Sequence, residues 1–208
     1  MGVQERRARE KKELRQEILD AARDLFVREG FENVSMRKIA EKIEYSPTTI
    51  YLYFHDKGDL LDCICEETFA RLVRKQNALD QTVPDAVERL ERGLRAYIEF
   101  GLKHPNHYKV TFMMPQAIVD PELCPRSREM GQKAFGNLRG MLAECAEKHL
   151  IEITDLEASA QSVWAMVHGL TSLLIAKPHY QWAERGHLID TLLANVMRGL
   201  GARSAVPA

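Results

Sequence analysis

At 208 residues and 23.8 kDa, with 45% hydrophobic and 28% charged side chains, the chain suits one or two compact units and excludes a disordered or collagen-like polymer. Its 29 basic and 30 acidic residues leave a formal charge of −1, so no global positive field advertises nucleic acid or an acidic membrane, and any DNA contact must be local. Cys63, Cys65, Cys124 and Cys145 form no Cys-x-x-Cys pair and no dense framework, which fits free thiols in a reducing compartment.

The amino end, Met1 to Arg15, carries six basic and three acidic residues and no apolar core of a secretory signal. The most apolar run, Leu170 to Ala176, is too short to span a bilayer, so a cytoplasmic protein with no membrane partner is expected. Leu14, Ile18, Ala21, Ala22, Leu25 and Phe26 recur at three- and four-residue spacing and predict a first helix, ended by Gly30. Ser35 suits the N-cap of a short second helix, and Ser46, followed by Pro47, that of a third. Asp56, with Asp59 three residues on, opens a fourth through Leu60, Leu61, Ile64, Thr68 and Leu72.

A fifth helix starts near Thr82, Pro84 and Asp85 and stops at Pro105. Asn106 to Met114 reads as a short helical segment, and the stretch from Pro115 to Pro125 as an irregular connection. The next stripe is Ala134, Leu138, Met141, Leu142, Cys145 and His149, interrupted by Gly131, Gly136 and Gly140, which suggest close packing or adaptability. Thr154 or Asp155 starts a helix through Lys177, and a last one carries Ile189, Leu192, Leu193, Val196, Met197 and Leu200. No segment alternates like a strand, so the expected fold is all-α. The division expected is a helix-turn-helix unit with its basic arm over residues 1–57 and a larger helical unit over 58–208.

The two short helices and their tight turn have the layout in which the second helix enters the major groove, although Glu32 to Lys57 holds four basic and four acidic residues. The stretch from Ile18 to Leu61 resembles the amino-terminal DNA-binding domain of TetR-family transcriptional regulators. The resemblance is carried by Ala22, Leu25 and Phe26, Gly30, Ile39-Ala40, Ser46, the run Thr49 to Phe54, and Lys57 ahead of Leu60-Leu61. Val163 to Leu170, with its Trp-x-x-x-His-Gly, is similar to the subgroup with a WHG-type carboxyl-terminal domain. The chain departs from the pattern at Glu44, where the turn often has Gly, at Tyr45, and at Thr48. Glu44 takes positive φ less readily than Gly, so strain in the turn is expected.

The resemblance implies a homodimeric repressor, released from a palindromic double-stranded operator by a small hydrophobic effector. On this reading Thr48 and Thr49 read base edges, with Ser46 and Pro47 opening their helix. Tyr51 reaches bases or sugars, Tyr53 and Lys57 contact phosphate, and Ser35 and Arg37 hold the opposite backbone. Arg6, Arg7, Arg9, Lys11 and Lys12 form either an arm along the DNA or a solvated tail, while Ile39, Ala40, Ile50 and Phe54 belong to the core.

For the effector, candidate residues are Tyr97, Phe100, His104, Tyr108, Phe112, Met113, Leu138, Met141, Trp164 and His168. Trp164, Val167, Thr171 and Leu174, with Leu192, Val196 and Leu200, are expected either to pair with a second copy or to form internal core. No phosphate loop, no nucleophile elbow and no complete metal-ligand set is present, so neither a cofactor nor catalysis is expected. The competing reading is a helical ligand-binding or adaptor protein that no longer binds specific DNA, motivated by the neutral first unit and Glu44.

Overall fold

The computed structural model describes residues 2–114 and 124–202, and every regular element among them is helical. The connection expected after Pro115 lies outside the described residues as far as residue 123. Contacts divide the chain into two units, Met1–Thr68 with Asn106–Glu129, and Phe69–Pro105 with Met130–Ala208. This partition differs from a division at residue 57, because the first half of the fourth helix and the segment after Pro105 group with the amino-terminal helices.

In the first unit, α1 runs Val3–Glu29, α2 Met36–Lys42, α3 Pro47–Tyr51, and α4 starts at Lys57 and continues to Thr82. Each start has a local cause. The Glu5 carboxylate accepts from the Gly2 N–H at 2.9 Å, Ser35 Oγ from the Lys38 N–H at 3.2 Å, and Asp56 from the Asp59 N–H at 2.8 Å. Gly30, at φ 81°, ends α1 with its N–H on the Phe26 carbonyl at 3.1 Å. The buried face of α1, Ile18, Leu19, Ala22, Leu25 and Phe26, packs with Ile39, Ala40, Ile50, Phe54, Leu60 and Ile64 into one core. Each such large side chain contributes about 1.5–3 kcal/mol by leaving water.

The segment after Pro105 forms α6, Pro105–Tyr108, followed by a π-helical turn, Lys109–Met113, whose Val110 joins that core. Helix α7 runs Pro125–Glu147, and its first turn is held by a residue distant in sequence. Buried Asp62 of α4 accepts from the Ser127 N–H at 2.8 Å and from Arg126 Nε at 2.9 Å. Burial alone would raise the Asp62 pKa, but these donors hold it below the ordinary carboxylate value.

The second unit contains the rest of α4 and of α7, with α5 Ala86–Lys103, α8 Leu156–Ala176 and α9 Arg185–Gly199. Helix α5 is capped by Asp85, which accepts from the Glu88 N–H at 2.7 Å, and it packs chiefly on α8 and α9. Its Leu90, Leu94, Tyr97, Ile98 and Phe100 are buried, as are Val163, Val167 and Thr171 of α8 and Ile189, Leu193 and Val196 of α9.

Two open alternatives narrow here and one expectation is overturned. Val167, Thr171, Val196 and Leu200, considered for pairing with a second copy, are at most 7% exposed within one chain and are internal core. His149 does not continue the α7 stripe, since the helix ends at Glu147 and His149 takes φ 55° in the turn. Of the three glycines in α7, only Gly131 is closely packed, its absent Cβ position lying 3.2 Å from the Phe69 ring, whereas Gly136 and Gly140 face open space.

All four cysteines are free thiols. Burial pushes Cys65 up to about 12, so it is no ready nucleophile.

Candidate nucleic-acid interface and effector residues

The turn between α2 and α3 is built on Glu44. Its φ is 59°, its N–H bonds to the Glu41 carbonyl at 3.3 Å, and the Tyr45 N–H bonds to the Ala40 carbonyl at 3.0 Å. These two bonds form a Schellman closure, which places the residue after the helix cap in the left-handed region and therefore favours Gly. The chain reaches the helix-turn-helix angle with a glutamate there.

Ser46 then caps α3, its Oγ accepting from the Thr49 N–H at 3.2 Å and lying 2.9 Å from Thr49 Oγ1. With Ile50 fully buried, the opposite side of this short helix faces solvent. Ser46, Pro47 and Thr48 are exposed, Tyr51 is 56% exposed, and Thr49 and Tyr53 are half-buried. Thr48 and Tyr51 thus present free surface, while Thr49 has its hydroxyl engaged with Ser46.

Three further residues around this helix in the sequence are exposed: Tyr45 at 43%, Leu52 at 76%, and His55. Helical spacing carried a signal for Leu52, which stands four residues after Thr48 at the end of α3. The His55 pKa is raised above 6.5, first by its hydrogen bond to Asp56 at 2.9 Å and then by that carboxylate's charge.

Lys57 has a structural task in the free chain. Its ammonium donates to the Phe31 carbonyl at 3.0 Å, sits 4.4 Å from the Phe31 ring centre and lies 3.8 Å from Glu32. Arg37 is exposed and paired with Glu41 at 2.9 Å, and the Ser35 hydroxyl is the α2 cap. The five basic residues near the amino end belong to α1, with Arg6–Glu10 at 3.4 Å and Arg9–Glu13 at 3.7 Å along an exposed helical face.

The ten effector candidates are divided between the two units. Tyr108, Phe112 and Met113 fall in the first unit, where the Tyr108 and Phe112 rings lie 4.8 Å apart and Tyr108 is fully buried. In the second unit, Leu138 and Met141 are buried, and a Cβ on Gly93 would stand 3.1 Å from Met141 Cε. Phe100 is buried against His104, their rings 5.2 Å apart.

Tyr97, Trp164 and His168 do meet. Trp164 Nε1 donates to the Tyr97 hydroxyl at 3.2 Å, and that hydroxyl lies 3.2 Å from His168 Nδ1. Since the indole N–H only donates, the phenol retains its own proton for Nδ1 of a neutral imidazole. Desolvation lowers the His168 pKa, in keeping with that neutral form. Phe135 completes the group edge-on, 6.2 Å from Trp164, which stays 40% exposed.

Known proteins share both parts of this chain. The family described as "Bacterial regulatory proteins, tetR family" matches residues 18–64, and "Tetracyclin repressor-like, C-terminal domain" matches residues 90–198, including the Trp164–Gly169 stretch. The HTH-type transcriptional repressor AcnR of Corynebacterium efficiens is 26% identical over 167 residues, covering 77% of this chain and 88% of that protein. An HTH-type transcriptional regulator of Staphylococcus aureus is 29% identical over 93 residues, 45% of this chain and only half of that regulator's length. The crystal structure of the transcriptional regulator FadR from Bacillus subtilis in complex with stearoyl-CoA superposes with a TM-score of 0.76 at 20% identity, covering 88% of this chain and 98% of that one. At that identity the likeness speaks for the fold. No helix among the described residues is long and apolar enough to cross a membrane.

Proposed function

The chain belongs to the TetR family of bacterial transcriptional regulators, and from that membership we propose that it is a homodimeric repressor released from a palindromic operator by a small, largely hydrophobic effector. The observation that carries the DNA half of this reading is the solvent-facing side of α3. Thr48 and Tyr51 project from a helix whose other side is anchored by Ile50, so the reading residues ride on a rigid support. Thr48 is short enough to bring hydroxyl and methyl to base edges, with a thymine methyl as a natural partner. Tyr51 reaches bases or sugars, Arg37 and Ser35 approach the backbone from α2, and Tyr53 and Lys57 take phosphate. Lys57 does so by exchanging the Phe31 carbonyl for a phosphate oxygen.

For the dimer, the exposed side of α8 offers Met166 and Leu173, 42% and 49% exposed, two turns apart with Gly169 open between them. A two-fold axis at this face leaves the core of each chain intact. The effector site is supported best by the Tyr97–Trp164–His168 group, which combines aromatic walls with a neutral polar handle. The B. subtilis protein of similar fold was crystallised with stearoyl-CoA, which is in keeping with an effector that has an apolar part.

Release follows from linkage. DNA favours the dimer in which the two α3 helices stand about 34–36 Å apart, one turn of B-DNA. An effector with greater affinity for another spacing lowers DNA affinity by the same factor by which DNA lowers effector affinity. A tenfold effect needs about 1.4 kcal/mol of coupling.

The test is selection of genomic fragments by the purified chain, followed by footprinting. The reading expects one protected site with two half-sites related by a dyad. Recovery of no preferred fragment at low salt would favour the adaptor reading.

A further inference from the structure

In the second unit, the side of α4 that faces away from the core carries Arg71, Arg74 and Lys75 within little more than one turn. With Ala78 of the same helix and Phe100 and His104 of α5, they line an open groove of about 330 Å³. That volume lies at the lower end of the range for small-molecule sites. The lining contains no carboxylate.

The three cations are each other's neighbours at helical spacing. Arg71 stands four residues from Lys75 and three from Arg74, and like charges at such positions oppose one another. The sequence offers them little relief. Four residues beyond Arg74 and Lys75 come Ala78 and Leu79, and four before Arg74 comes Ala70. Glu67, four before Arg71, is engaged by Arg15 at 3.5 Å. Among the described residues, no ion pair or hydrogen bond is made by any of the three side chains. Nearby on α5, by contrast, Arg92 is paired with Glu88 at 2.5 Å and Arg95 with Asp190 of α9 at 2.6 Å.

We propose that this α4–α5 groove binds the phosphate group of a phosphate-bearing small molecule, and that such an anion is part of the effector. The proposal rests on the effector reading above and adds to it the chemistry of the head group. Two guanidinium forks and an ammonium match the oxygens of a doubly charged phosphate, Arg by paired N–H donors and Lys as a point charge. The buried Phe100 ring and the Ala78 methyl supply an apolar floor beside the anion site. All six lining residues lie in the second unit, so the groove is complete without the DNA-reading helices.

The probe is inorganic pyrophosphate, titrated into the full chain by calorimetry at an ionic strength held constant with NaCl, so that general screening cancels. The expected result is saturable binding of one pyrophosphate per chain. It is weakened roughly tenfold or more in the Arg71→Gln/Arg74→Gln double variant, the loss of charge-assisted contacts, and unchanged in Arg92→Gln. Circular dichroism confirms that both variants are folded. No heat beyond the NaCl control, or equal binding by wild type and double variant, would overturn the proposal. Operator affinity, read by fluorescence anisotropy, is expected to be the same in the double variant as in wild type. A tenfold loss there would mean that the basic surface follows the DNA backbone, which also overturns the proposal while leaving DNA binding intact. A wild type that binds pyrophosphate but no operator would instead refute the repressor reading and leave the groove standing.

Discussion

Glu44→Gly tests the account of the helix-turn-helix at its most strained point. An L-residue in the left-handed region costs about 1–2 kcal/mol, because Cβ crowds the following carbonyl oxygen. Glu44 sits there at φ 59°, and its side chain is exposed, so replacing it forfeits no packing. Glycine relieves the strain but has more freedom to lose on folding, which takes back about 0.4–1 kcal/mol. The net expectation is stabilisation by roughly 0.5–1 kcal/mol, with both Schellman bonds retained. Glu44→Val runs the other way, because a β-branched side chain is the least tolerated at positive φ. The assay is urea denaturation followed by circular dichroism, comparing midpoints at equal slope. A glycine variant with a midpoint equal to or below wild type at unchanged slope would refute the reasoning, since it would mean that the turn carries no relievable strain.

Three other outcomes follow from the same geometry. Thr48→Ala is expected to relax preference at one base pair by about 1–3 kcal/mol while affinity for random DNA stays the same; a uniform loss across sequences would assign Thr48 to the backbone instead. The raised His55 pKa means that this side chain holds its proton to higher pH than an ordinary His, so the Asp56 pair is intact below that pKa and lost as pH rises through it. Operator affinity should therefore increase as pH falls from about 8 to 6, and His55→Asn should flatten the dependence; an equal slope in both proteins removes His55 from the interface. Met166→Glu with Leu173→Glu is expected to give folded monomers in sedimentation at micromolar concentration, and a dimer that survives both places the interface elsewhere.

What was legible in the sequence was mostly local. Ser35, Ser46, Asp56 and Gly30 announce helix ends because a cap acts within three or four residues of itself. The cap of α7 was not legible, since Asp62 stands 65 residues from Ser127 in the chain. Apolar spacing singled out Val167, Thr171, Val196 and Leu200, which are buried, but grouped with them Trp164, which is 40% exposed, and could not say what covers the stripe. Val167, Thr171 and Val196 are buried on helices that pack on α5 and on one another, while Met166 and Leu173 are exposed. The same limit applies to the effector residues. Aromatic and Met side chains at helical spacing have one appearance in sequence, whether they join Tyr97, Trp164 and His168 or pack with Tyr108 in the other unit. Gly136 and Gly140 looked like close-packing positions only because composition does not reveal which way a helix faces.

The central claim is that the side of α3 bearing Thr48 and Tyr51 selects a DNA sequence. It is tested most directly by fluorescence anisotropy with the selected duplex and a scrambled duplex of equal length and composition, measured at the same salt concentrations. The account predicts that the selected site binds at least about a thousandfold more tightly at near-physiological salt, a ratio that persists as salt weakens both. A ratio near one across the salt range would contradict it.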